Sequence, residues 1–153
     1  YLGLKGVSRR TVLVWLAIIS AFYLLSDLLA VTFDRPVVHD FMRDAYTTAD
    51  PLWLLWLAIV VAAPAFEEIF YRGFFYYGLA GSRLGVTGAT IISALAFASI
   101  HIQYELFEIT VVFAMGILLA VARQRTGSIL VPIGMHAMNN LVATVETAMA
   151  VVR

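Results

Sequence analysis

Long stretches without a charged residue alternate with short polar segments along the chain. Asp, Glu, Lys and Arg are all absent from residues 11–26, 52–66, 84–104, 109–122 and 126–145. Apolar runs of about 20 residues are typical of membrane-spanning helices, so this pattern predicts an all-α transmembrane bundle with about five spans. Turn residues and charges place the spans at 11–33, 52–80, 85–104, 106–122 and 127–150. The longer polar segment, residues 34–51, is predicted to be a solvated connector.

Composition and charge exclude several classes of protein. The 153 residues are 62% hydrophobic and 13% charged, whereas soluble domains are about half apolar and about a quarter charged. Ten basic and ten acidic residues leave no net charge, so the basic surface that nucleic-acid binding requires is absent. Cysteine is also absent, which excludes a thiol nucleophile and a thiolate metal site.

These features predict one multi-pass membrane domain over residues 1–153, embedded in the lipid bilayer. We expect it in the cell membrane if the source is prokaryotic. Because the chain begins with Tyr1 rather than Met, we also expect that an N-terminal part is missing.

Three ionisable side chains interrupt the second apolar stretch, in the segment FEEIFYRG at 66–73. A charged residue at the centre of a membrane helix costs about 2.5–3.5 kcal/mol on insertion scales, so such residues are usually paired and functional. Glu68 and Arg72 lie four residues apart on one helix face and are predicted to form an ion pair. Glu67 points about a quarter-turn away and has no local partner. A carboxylate held unpaired away from water accepts a proton readily, as a general base requires.

Two other apolar segments carry a histidine. FASIH at 97–101 places Phe97 and His101 on one helix face, and HAMNN at 136–140 does the same for His136 and Asn140. Lipid would penalise polar groups in three separate apolar segments unless they converge. We therefore expect Glu67, His101, His136 and Asn140 to line one polar cavity.

The types of these residues favour hydrolysis of an amide bond. The chain contains no HExxH zinc helix, no GxSG-type serine loop and no GxGD aspartyl motif. Glu67 could deprotonate a water molecule that attacks the amide carbonyl, while His101 orients that water or moves a proton. His136 and Asn140 could donate hydrogen bonds to the developing oxyanion.

The segments EEIFYR, FASIH and HAMNN, in this order, resemble the EExxxR, FxxxH and HxxxN motifs of the CAAX protease and bacteriocin-processing (CPBP, or Abi) family. The resemblance covers about residues 52–150. It implies an intramembrane endopeptidase whose substrate is a membrane-associated peptide or protein, such as a prenylated C-terminus or a leader peptide. It also implies catalytic roles for Glu67, His101, His136 and Asn140, with Glu68 and Arg72 as a supporting pair.

Two alternatives stay open. The family has been described both as metalloproteases and as glutamic proteases, and Glu67, His101 and His136 could together bind Zn²⁺. The metal-free version is favoured, because such a zinc site leaves no separate carboxylate as the base unless Glu68 leaves Arg72. In a different class, buried carboxylates and histidines also serve proton-coupled or ion-coupled transporters, although no duplicated halves are visible in this sequence.

Overall fold

Six helices make up the fold in the computed structural model, which describes residues 2–152. They are α1 (Arg9–Thr32), α2 (Asp40–Thr48), α3 (Leu52–Ala80), α4 (Gly85–Ser99), α5 (Leu106–Thr126) and α6 (Leu130–Val152). No β-strand occurs within residues 2–152. The predicted all-α class is therefore confirmed.

Three of these helices, α1, α3 and α5, are long and apolar enough to cross a membrane. The prediction of about five spans is wrong. Helix α4 has 15 residues and is about 22 Å long, less than the hydrocarbon thickness of about 30 Å. Helix α6 has 23 residues, but it also carries His136, Asn139, Asn140 and Glu146, which dilute its apolar character.

The segment predicted as a solvated connector contains helix α2. His39 caps its N-terminus, because the Nδ1 atom of this side chain accepts a hydrogen bond from the Phe41 N–H at 3.2 Å. Helix α2 packs against α6. Just before α2, Arg35 forms ion pairs with Glu105 and Glu108 at the start of α5. These contacts attach the polar segment to the bundle.

Helix α3 is continuous but not uniformly α-helical. Two π-helical segments, Leu57–Ala62 and Ile69–Phe75, flank the short α-helical segment Ala63–Glu68. Segments of this kind are frequent at functional sites, since they change the direction in which side chains leave the helix. Both glutamates of the motif and Arg72 therefore lie in a region of irregular helical winding.

The helices pack around a small core that adjoins the polar residues. Helix α6 contacts α1, α2, α3 and α5, and α4 packs along α5. Core residues include Ile19, Tyr71, Phe97, Leu119 and Met135. On the outer face of α1, Leu13, Leu24 and Leu28 are 67%, 69% and 62% exposed. An apolar face of this kind is compatible with contact with lipid.

Candidate active site

All four side chains that were expected to converge line one cavity of about 270 Å³. Glu67 comes from α3, and His101 comes from the turn between α4 and α5. His136 and Asn140 come from successive turns of α6. The structure thus brings together residues from three parts of the sequence.

A fully buried ion pair lies beside this cavity. The Nη1 atom of Arg72 donates to Oε1 of Glu68 at 2.8 Å, and neither side chain is exposed to solvent. The Nη2 atom of Arg72 also donates to the backbone carbonyl of Gly116 at 3.1 Å. The guanidinium carbon lies 4.3 Å from the centre of the Phe97 ring, which adds a cation–π contact. Arg72 thus connects α3 to both α4 and α5.

Glu68 has a second partner that the sequence spacing did not indicate. The Nδ1–H of His136 donates to Oε1 of Glu68 at 2.9 Å, so one carboxylate oxygen contacts both the arginine and the histidine. The other ring nitrogen of His136, Nε2, lies 3.9 Å from Oε2 of Glu67. His136 is therefore situated between the two glutamates, and Glu67 has a neighbour from a distant helix.

His101 is held by its backbone and by two aromatic rings. Its Nδ1–H donates to the carbonyl oxygen of Phe97 at 2.9 Å, which leaves Nε2 as a hydrogen-bond acceptor. The ring contacts Phe97 at 4.9 Å between centroids and stacks on Tyr104 at 5.8 Å. Burial lowers the pKa of His101, which favours the neutral ring.

Asn140 uses one of its N–H groups within the protein. Its Nδ2 atom donates to the backbone carbonyl of Ile59 in α3 at 2.9 Å. The same amide lines the cavity, and its second N–H is not engaged in this bond. Asn140 therefore links α6 to α3 at a point distinct from the contacts of His136.

The two histidines share one feature with the ligands of a metal site. Both histidines donate Nδ1–H to an oxygen and keep Nε2 free, as metal-binding histidines do. Within residues 2–152, however, no three His, Asp or Glu side chains are grouped so that they could hold a metal ion. The predicted zinc ligands Glu67, His101 and His136 do not form such a group.

Sequence reasoning missed several contributors to the site. The carbonyl groups of Gly116 and Ile59 accept hydrogen bonds from Arg72 and Asn140, but a backbone acceptor has no side-chain signature. Tyr104 stacks on His101, and its spacing of three residues in a turn is not a recognisable motif. Gly116 had a weak signal, since it is a glycine inside an apolar helix.

Comparison with known proteins identifies the family. Residues 49–142 match the family described as "Type II CAAX prenyl endopeptidase Rce1-like". No curated protein and no solved structure matches the chain. The matched range contains all six motif residues described above, and the family assignment implies a peptidase. The chain belongs to the Rce1-like type II CAAX prenyl endopeptidase family.

Proposed function

We propose that this protein is an intramembrane endopeptidase in which Glu67 activates the attacking water molecule. The observation that carries the proposal is the position of Glu67 in the cavity. Its carboxylate lies 3.9 Å from His136 Nε2, and the same cavity exposes His101 and Asn140. Amide hydrolysis requires a base, a hydrogen-bond acceptor that orients the water and a donor to the oxyanion, and Glu67, His101 and Asn140 can supply these groups around one space.

Glu67 and Glu68 differ in their hydrogen-bond partners and in their exposure. Glu68 accepts hydrogen bonds from Arg72 and from His136, and it is fully buried. Glu67 retains 20% side-chain exposure and lines the cavity. Glu67 is therefore the carboxylate that can reach a water molecule, while Glu68 fixes the orientation of the His136 ring.

In the proposed reaction, the water oxygen attacks the carbonyl carbon of the scissile amide while Glu67 takes one of the water's protons. His101 Nε2 accepts a hydrogen bond from the same water, because its Nδ1–H is committed to Phe97. The C–N bond then breaks, and the proton held by Glu67 moves to the leaving nitrogen. One carboxylate thus takes the proton from the water molecule and gives it to the leaving nitrogen, and Glu67 returns to its starting form.

Hydrogen bonds to the developing oxyanion are assigned to His136 and Asn140. Since the Nδ1–H of His136 donates to Glu68, the ring reaches the oxyanion through Nε2, and its donor form is the imidazolium, in which both ring nitrogens carry a proton. Asn140 acts through the N–H that Ile59 does not use. The substrate is proposed to be a membrane-associated peptide or protein, and the enzyme a multi-pass protein of the cell membrane if the source is prokaryotic.

The test compares the proteins in membranes that carry the wild type, Glu67→Gln or Glu105→Gln. Glutamine preserves size and hydrogen bonding but cannot take the proton. Glu105 is 70% exposed at the Arg35 ion pair and is the matched control. We expect peptide termini that are present with the wild type and with Glu105→Gln, and absent with Glu67→Gln. The same termini in all three membranes would refute the assignment of Glu67.

A further inference from the structure

Pro64 removes a backbone hydrogen-bond donor from the interior of α3. At the end of the π-helical segment Leu57–Ala62, the N–H of Ala63 bonds to the carbonyl of Ala58, five residues earlier. Continued by one residue, this pattern would pair the carbonyl of Ile59 with the N–H of residue 64. Pro64 has no N–H, so the carbonyl of Ile59 has no helical donor from that position.

The side chain of Asn140 supplies the missing donor. Its Nδ2 atom lies 2.9 Å from the Ile59 carbonyl oxygen, and Pro64 itself is buried. An unpaired backbone carbonyl in a membrane-spanning helix is costly, so a donor from the protein stabilises it. The contact therefore replaces a bond that the sequence of α3 has removed.

This bond and the His136 contacts connect the same two helices at two points. One turn before Asn140, His136 reaches Glu68 at 2.9 Å and Glu67 at 3.9 Å. Ile59 precedes Glu67 by two turns of α3. Two contacts separated along both helices fix how far α6 is displaced along α3, whereas one contact would allow rotation around it.

We propose that Asn140 is a positioning residue, whose amide satisfies the Ile59 carbonyl orphaned by Pro64 and so fixes the register at which Glu67 faces His136. This role deepens the proposed peptidase function and rests on it. The amide needs only its Nδ2 donor for the role, whether or not its second N–H reaches the substrate.

Pro64→Ala provides the discriminating background, because alanine restores an N–H five residues after Ile59. We expect Asn140→Ala to lower kcat by about 10²-fold, the size of loss that a displacement of about 1 Å causes in an active site, with little change in KM. In the Pro64→Ala background, the loss of kcat caused by the same substitution should be about tenfold smaller, and what remains of it is the loss of the oxyanion donor. Gln124→Ala removes an exposed side-chain amide of α5 that does not line the cavity and is the control, with kcat near the wild-type value.

The measured quantity is the fold loss of kcat caused by Asn140→Ala, determined once in the wild type and once in the Pro64→Ala background. Because each loss is taken relative to its own background, any effect of Pro64→Ala alone cancels. An equal loss in both backgrounds would overturn the proposal, since a residue that acts only on the oxyanion gains nothing from a new donor at residue 64. If Asn140→Ala does not accumulate, the yield of folded protein becomes the readout. Recovery of folded protein by Pro64→Ala supports the proposal, and failure of both variants overturns it.

Thermal unfolding of the wild type, Asn140→Ala, Pro64→Ala and the double variant separates this inference from the function on which it rests. The melting temperature lost through Asn140→Ala should be recovered in part by Pro64→Ala, whatever the protein cleaves. If Glu67→Gln proves as active as the wild type while this recovery is observed, the proposed function fails and the contact remains. If the recovery is absent while Glu67→Gln is inactive, the positioning role alone fails.

Discussion

Replacing Arg72 by methionine tests how much the buried ion pair contributes to the fold. The substitution keeps an unbranched apolar side chain and removes the guanidinium. It leaves Glu68 fully buried without its cation, and it removes the bond to the Gly116 carbonyl and the contact with Phe97. Removing one partner of a buried pair costs about 3–5 kcal/mol. That is a large fraction of the roughly 5–15 kcal/mol that stabilises a typical domain.

The assay is thermal unfolding in detergent, together with the amount of folded protein recovered from membranes. Arg35→Met is the matched control, because the Arg35 pair with Glu105 lies at the surface and water screens it. The double variant Glu68→Gln with Arg72→Met removes the uncompensated charge, so part of the stability should return. An Arg72→Met protein that unfolds at the wild-type temperature, or that loses no more than Arg35→Met, would refute the reasoning.

Three further predictions concern catalysis, metal dependence and helix packing. Purified Glu67→Gln should bind substrate and leave it uncut, with the rate lowered by about 10⁴-fold, at the upper end for a general base; a rate within tenfold of wild type would contradict this role. Purified wild type should cleave at full rate in a strong chelator, whereas stoichiometric zinc with chelator-sensitive, zinc-restorable cleavage would make Glu67 a ligand instead. Gly116→Val should lower the melting temperature, because a Cβ there would lie 3.1 Å from the backbone of Ala94 and 3.2 Å from Arg72 Nη2. Gly134→Ala, which has no atom within 4 Å of its added Cβ, should not, and equal melting temperatures for the two variants would count against close packing at Gly116.

Local spacing was enough to predict contacts within one helix. The four-residue interval between Glu68 and Arg72 predicted their ion pair, which is present at 2.8 Å. The interval between Phe97 and His101 predicted one shared face, and their rings are 4.9 Å apart although His101 lies in the turn just after α4. Such predictions succeed because helix geometry determines which neighbours meet.

For contacts between helices, the sequence predicted that the polar side chains meet but not which atoms bond. The cost of polar groups in lipid indicated that Glu67, His101, His136 and Asn140 should meet, and they line one cavity. Their individual partners were not predictable, since the hydrogen bond from His136 to Glu68 depends on the register between α3 and α6. That register depends in turn on the π-helical segments of α3, for which the sequence offers only Pro64 as a hint.

The absence of charged residues alone overestimates the number of membrane spans, because an uncharged stretch need not be one long apolar helix. The uncharged stretch 84–104 continues beyond α4 into the turn that carries His101, so its helical part has only 15 residues. In α6, the histidine and asparagines that serve the cavity also make the helix less apolar. Polar residues that line an internal cavity therefore weaken the hydropathy signal of the helices that carry them.

The different roles proposed for Glu67 and Glu68 follow from their surroundings. Oε1 of Glu68 accepts hydrogen bonds both from Arg72 and from the Nδ1–H of His136. The free nitrogen of that ring is therefore Nε2, which faces Glu67. A neutral residue at position 68 would leave the choice of ring nitrogen open and would place Arg72 without its anion. The adjacent pair of glutamates thus supplies one fixed carboxylate and one accessible carboxylate, and this difference is the physical ground for assigning the base to Glu67.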